Sequence, residues 1–142
     1  MTEEEVAKKV AMGCAMFKGL QAIGTLALST LFIGFMLFIF GFSIKTSQEY
    51  DCVISMAKRS REVVAVTGEP IEPGFFAWIS YFESGGGVRQ GHFSTSVSGP
   101  QGKGRVSASF YRTPVGSSLD IWFKTGGEEV SIYSGDYPCP ER

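Results

Sequence analysis

A chain of 142 residues, 44% hydrophobic and 19% charged, suffices for one ordinary domain and is too short for most multi-domain enzymes. With 13 Lys and Arg against 14 Asp and Glu the formal charge is −1, so no basic excess exists to neutralise phosphates and nucleic-acid binding has no electrostatic footing. The mean hydropathy of +0.09 conceals how unevenly the apolar residues are placed.

Residues 1–18, opening on the acidic Met1-Thr-Glu-Glu-Glu5, read as a tail. From Gly19 through Ile44, 26 residues then pass without an Asp, Glu, Lys, Arg or His. At about 1.5 Å per residue such a helix reaches about 39 Å, more than the roughly 30 Å hydrocarbon core of a bilayer. A transmembrane helix is expected over residues 19–44, strongest from Thr25 to Ile44. A cleaved signal peptide has a shorter apolar region behind a basic start, so the acidic start and the lack of a small-x-small cleavage site favour a retained anchor. No Arg-rich presequence precedes it. Orientation is undecided by charge, because Lys8, Lys9 and Lys18 on one side balance Lys45, Lys58 and Arg59 on the other. Ala11, Ala15 and Gly19 have the spacing that lets helices approach closely, although small residues are common in spanning helices.

Residues 45–134 read as the folded domain and 135–142 as a second tail. Thr46-Ser-Gln-Glu49 is a capping-box pattern that starts a helix, with Glu49 reaching back to the cap. Tyr50, Val53, Ile54, Ala57 and Val64, with the stem of Arg61, recur at helical spacing, and Gly68 and Pro70 supply the stop. Asp51, Lys58, Arg59 and Glu62 fall on the opposite face. The run Lys58-Arg-Ser-Arg61 is either a solvated face or a contact for anionic lipid or an acidic partner.

From Gly74 onward the period changes to two. Strands are expected over Phe75 to Phe82, His92 to Ser98, Val106 to Tyr111, Leu119 to Lys124 and Val130 to Tyr133. Of the 18 glycines, 13 follow residue 67, mostly in the intervening loops, which marks them as turn residues. The expected fold is α+β: a single N-terminal transmembrane helix, then an amphipathic helix packed on a mostly antiparallel five-stranded meander sheet. Alternation places Trp78 and Phe82 opposite Phe75, Ala77, Ile79 and Tyr81, and Trp122 opposite Leu119, Ile121 and Phe123. Trp78 and Trp122 either pack beneath the tail Gly135-Asp-Tyr-Pro-Cys-Pro140 or form a docking patch.

Candidates for catalysis are few, and no catalytic, cofactor or metal residues are expected. His92 falls on the serine face of its strand and reads as a surface histidine. Glu128 and Glu129 are adjacent on a strand and point to opposite faces, the wrong geometry for a shared acid/base site. Gly99-Pro-Gln-Gly-Lys-Gly104 is no phosphate-binding loop, since Val97 and Gly104 stand where Gly and Ser or Thr are needed, and Gly85-Gly-Gly87 fails its motif at Gln90. Of Cys14, Cys52 and Cys139, only the last two share a side of the anchor, and either a disulfide or free thiols remain open. No Asn is present, which excludes N-glycosylation.

The element order, with Gly68-Glu-Pro-Ile71 after an amphipathic helix and Val97-Ser-Gly-Pro-Gln-Gly-Lys-Gly104 between strands, resembles the Coa1 family of cytochrome oxidase assembly proteins, related in fold to the Tim21 import component. The likeness covers roughly Phe32 to Tyr133. Departures are Gln101 where a basic residue is usual, the acidic N-terminus and the tail Ser134 to Arg142. The resemblance implies a non-enzymatic protein of the mitochondrial inner membrane, its domain in the intermembrane space, that assists assembly of a respiratory-chain complex, cytochrome c oxidase first, by protein contact. It also leaves open an accessory subunit of a respiratory complex or supercomplex. A third reading is a membrane-tethered lipid- or ligand-binding module with a pocket between helix and sheet. Expected partners are the membrane and respiratory-complex subunits or intermediates, with Trp78, Trp122, Lys58, Arg59 and Arg61 as contact residues and no cofactor.

Overall fold

The structure, a computed structural model, describes residues 2–140. Its helices are α1 (Glu3–Lys45), α2 (Gln48–Arg59) and α3 (Arg61–Thr67), and its strands β1 (Glu72–Gly85), β2 (Val88–Ser98), β3 (Lys103–Thr113), β4 (Gly116–Thr125) and β5 (Glu128–Gly135). The sheet is an antiparallel meander in the order β1-β2-β3-β4-β5, as the two-residue period and short turns require, and the chain is α+β.

Helix α1 is continuous from Glu3, so residues 3–18, expected as a tail, are helical. Glu3, Glu4 and Glu5 in the first turn and Lys45 in the last suit the two ends of the helix dipole. The helix is long and apolar enough to cross a membrane. The chain forms two compact units divided after Ile39, so the last turns of α1 count with the second unit. There Gly41 and Ile44 are buried. A Cβ on Gly41 would stand 2.2 Å from the ring of Phe76, so a larger residue here would have to displace that ring.

The capping box does not form. Ser47 is the N-cap of α2 and accepts from the Tyr50 amide at 3.2 Å, one residue later than expected. That shift frees Glu49 from the cap. The helix also breaks at Ser60, whose extended backbone (φ −73°, ψ 128°) ends α2 and begins α3 while its hydroxyl donates to Glu62 at 2.6 Å. The break rotates the buried face, so Val63 is fully buried, Val64 only partly, and Arg61 is exposed with no share in the core.

The core lies between α2, α3 and one face of the sheet. Val53, Ala57 and Val63 from the helices meet Phe93, Leu119 and Ile121 from the strands, all with no exposed surface. Each large apolar side chain buried there stabilises the fold by about 1.5–3 kcal/mol. The space between α2 and the sheet, expected to hold a pocket if the protein bound a ligand there, is filled by these side chains.

Alternation holds through β2, β3 and β4 and fails in the outer strands, where bulges intervene. In β1 the register shifts between Pro73 and Ala77 and again between Ile79 and Tyr81. Phe75 is consequently 77% exposed, outside the core. Tyr81 pairs with His92 on the outer face, and Phe82 pairs with Gly91 on the helix side, its ring 6.2 Å from Phe110. Both are the reverse of the expected faces. A further shift in β4 and β5 aligns Tyr133 with Ile121, bringing that tyrosine against the core. An inserted residue moves every later side chain to the other face, which simple alternation cannot foresee.

The two glycine motifs meet in space. The turn between β2 and β3 lies against the end of α3, and the Gln101 amide donates to the Thr67 carbonyl at 2.9 Å. A Cβ on Gly99 would stand 2.3 Å from the Thr67 carbonyl oxygen, and one on Gly102 would stand 2.7 Å from that of Val66. Gly68 ends α3 at φ 71°, beside the Gln101 side chain. The loop's backbone is thus engaged in closing a helix.

Candidate functional site

The residues of β2 and β3 dictate a polar cluster that motif reading misses. Extending the core parity of Phe93 back through Gly91 reaches Arg89, and extending that of Phe110 forward reaches Arg112. The register sets these two arginines directly opposite each other on the helix side of the sheet. Like charges so placed require an acid. Glu49 of α2 supplies it: its Oε2 accepts from Arg89 Nη2 at 3.0 Å and its Oε1 from Arg112 Nη1 at 2.8 Å. The Glu49 side chain is 0% exposed, against 12% for Arg112 and 44% for Arg89. Tyr137 lies over Arg112, with the guanidinium carbon 4.4 Å from the ring centroid.

That tyrosine belongs to the C-terminal segment, which is tied to the domain. Cys139 is disulfide-bonded to Cys52 of α2, with Cα atoms 5.9 Å apart, so the segment expected as a tail folds back over the helix layer. Tyr137 and Cys139 pack against the core cluster. Cys14 is a free, exposed cysteine of α1.

On the other face of the sheet, Trp78, Ser94, Ser107 and Trp122 fall in one row across β1 to β4. The two indoles thus bracket a floor of serines. Trp78 is 57% exposed and Trp122 half-buried, with the His92 ring 6.4 Å from Trp122. The C-terminal segment does not cover them, because it lies over α2. Of the two arrangements open from sequence, the rings are therefore not packed beneath it. Lys58, Arg59 and Arg61 are exposed in the helix layer, on the far side of the sheet from both tryptophans. The five expected contact residues form two separate surfaces.

The row beside the tryptophans runs Tyr81, His92, Ser109, Asp120 and Ser134. Serine stands between histidine and aspartate, so the carboxylate cannot orient the imidazole as a Ser-His-Asp relay needs. Asp120 instead accepts from Ser134 at 2.6 Å. Among the described residues no group of three or more His, Cys, Asp or Glu is placed to hold a metal ion.

The fold and its surfaces define a small α+β domain behind one long apolar helix. Comparison with protein-family models, curated proteins and solved structures gives no match.

Proposed function

We propose that the protein is a membrane-anchored, non-enzymatic factor that acts by protein contact. Helix α1 is the anchor and the tryptophan-bearing face of the sheet is the docking surface. The observation that carries this reading is the row Trp78, Ser94, Ser107, Trp122 on the face opposite α2 and α3. Large aromatic side chains on an uncovered sheet face are the anchors from which protein interfaces draw most of their energy. The resemblance to the Coa1 family supplies the finer reading: assistance in assembling a respiratory-chain complex, cytochrome c oxidase first, at the mitochondrial inner membrane. The meeting of the Gly68-Glu-Pro-Ile71 and Gly99 to Gly104 motifs in one contact supports treating them as a unit. The Cys52–Cys139 disulfide favours an oxidising compartment on the domain's side of the membrane, consistent with the intermembrane space. The test is affinity purification of the full chain from solubilised membranes, followed by identification of copurifying subunits and native-gel analysis. Comigration with respiratory-chain intermediates is expected. Migration solely as a free monomer in every membrane fraction refutes the reading.

A further inference from the structure

The end of α1 borders a groove that docking does not use. It is a recess of about 370 Å³ lined by Phe40, Ser43, Ile44, Ile79, Phe82 and Arg89. Its apolar walls come from the last turns of the apolar helix and from the helix side of β1, the face away from Trp78 and Trp122. Phe40 and Phe82 stay substantially exposed. Exposed phenyl rings beside a cation at the end of a spanning helix suit the edge of a bilayer, the rings toward the acyl chains and the cation toward the headgroups.

The groove also carries charge suited to an anion. Arg89 gives Nη2 to Glu49, and its guanidinium carbon lies 5.9 Å from the Phe82 ring centroid. A guanidinium has five N–H donors, so one shared bond leaves capacity for phosphate oxygens. The Lys45 ammonium, bonded to the Gly74 and Phe75 carbonyls at 2.8 and 3.1 Å, holds a second positive charge at the same end of the helix. Glu49, the nearest acid in these contacts, is buried and shared between Arg89 and Arg112.

We propose that this groove binds one anionic phospholipid, its acyl chain against Phe40, Ile44, Ile79 and Phe82 and its phosphate on Arg89. The occupant follows from continuity: Phe40 and Ile44 belong to the helix that enters the bilayer, so lipid is the neighbour already present at the groove's mouth. The proposal rests on the reading of α1 as a membrane anchor and is independent of any protein partner.

Carbonate extraction of membranes first tests the anchor alone; release of the full chain into the soluble fraction overturns both readings together. Native mass spectrometry of the detergent-solubilised full chain then compares phosphatidylglycerol with phosphatidylcholine of the same acyl chains. The expected result is a single retained lipid with about fivefold preference for phosphatidylglycerol, the worth of one cation at a membrane surface. Arg89→Gln should reduce retention to the phosphatidylcholine level. Phe82→Glu, which sets a carboxylate beside the Arg89 guanidinium in place of the apolar ring, should abolish the preference. Equal retention of the two lipids by the wild-type chain overturns the proposal without needing any variant, as does displacement of the bound lipid by excess inorganic phosphate. An unchanged preference in folded Arg89→Gln, verified by tryptophan fluorescence, does so too.

Discussion

Cutting the Cys52–Cys139 bridge offers a quantitative test of how the domain is held. The two residues are 87 positions apart, so the bridge closes nearly the whole domain into one loop. Loop-closure entropy for that length corresponds to about 4.6 kcal/mol at 25 °C. This is a ceiling, because the reduced segment can fray: of residues 136–140 only Tyr137 and Cys139 are half-buried, and the ordering cost of the rest is regained. A loss of about 2–4 kcal/mol is expected for Cys139→Ser, the better variant because Cys52 is buried in the core. Both tryptophans, Trp78 and Trp122, lie in the sheet and none in α1, so fluorescence during urea unfolding of the full chain in detergent reports on this domain alone. The midpoint should fall by about 1–2 M urea. Thiol alkylation supplies the control, with one label before reduction, on Cys14, and three after. A stability loss under about 0.5 kcal/mol, the range of ordinary surface substitutions, refutes the loop argument.

Other perturbations separate the remaining contributions. Glu49→Ala removes a buried carboxylate shared by two arginines and should cost about 3–5 kcal/mol in the same unfolding assay; a loss below 1 kcal/mol would count against a buried ionic cluster. Gly99→Ala drives a methyl into the Thr67 carbonyl and should destabilise by about 1–3 kcal/mol, whereas Gly116→Ala, where a Cβ meets nothing, should be far milder; equal effects would show that the contact with α3 is dispensable. Burial raises the Tyr50 phenol above its ordinary pKa. The unfolded chain therefore loses that proton first, so this contribution to stability is complete below about pH 10 and declines as pH rises from there toward the folded-state value. Tyr50→Phe should flatten the alkaline decline, and an identical slope in both proteins would exclude Tyr50 as its source. Trp78→Ala and Trp122→Ala should weaken partner copurification while leaving the unfolding midpoint within about 1 M urea of wild type; full copurification by the double variant would remove the docking face from consideration.

The strand order and most of the core were legible because β2, β3 and β4 alternate without interruption. Phe93, Val106, Ala108 and Ile121 are all buried, as that period requires. The outer strands were less legible. Bulges at Pro73 to Ala77 and Ile79 to Tyr81 depend on pairing with β2, which local sequence does not encode, and they misplace Phe75, Tyr81 and Phe82. The Glu49 cluster hid behind a shift of one residue: Thr46 and Ser47 are both competent caps, and only with Ser47 does Glu49 turn inward. A signal existed nonetheless, since continuing the strand parity to Arg89 and Arg112 brings two cations to the core face and demands an acid. Trp78 and Trp122 were correctly assigned to one face, but Lys58, Arg59 and Arg61 could not be placed relative to them without the layer order.

The position of the disulfide has a consequence for biosynthesis. Cys52 precedes β1 and Cys139 follows β5, so all five strands lie inside the covalent ring. Neighbouring strands pair through short hairpins, and the sheet can assemble progressively as the chain emerges. The ring can close only once Cys139, four residues beyond the final strand, has been made and brought back to α2. A chain truncated before residue 139 cannot form this bridge, so the pairing of Cys52 with Cys139 reports that synthesis has run past the last strand.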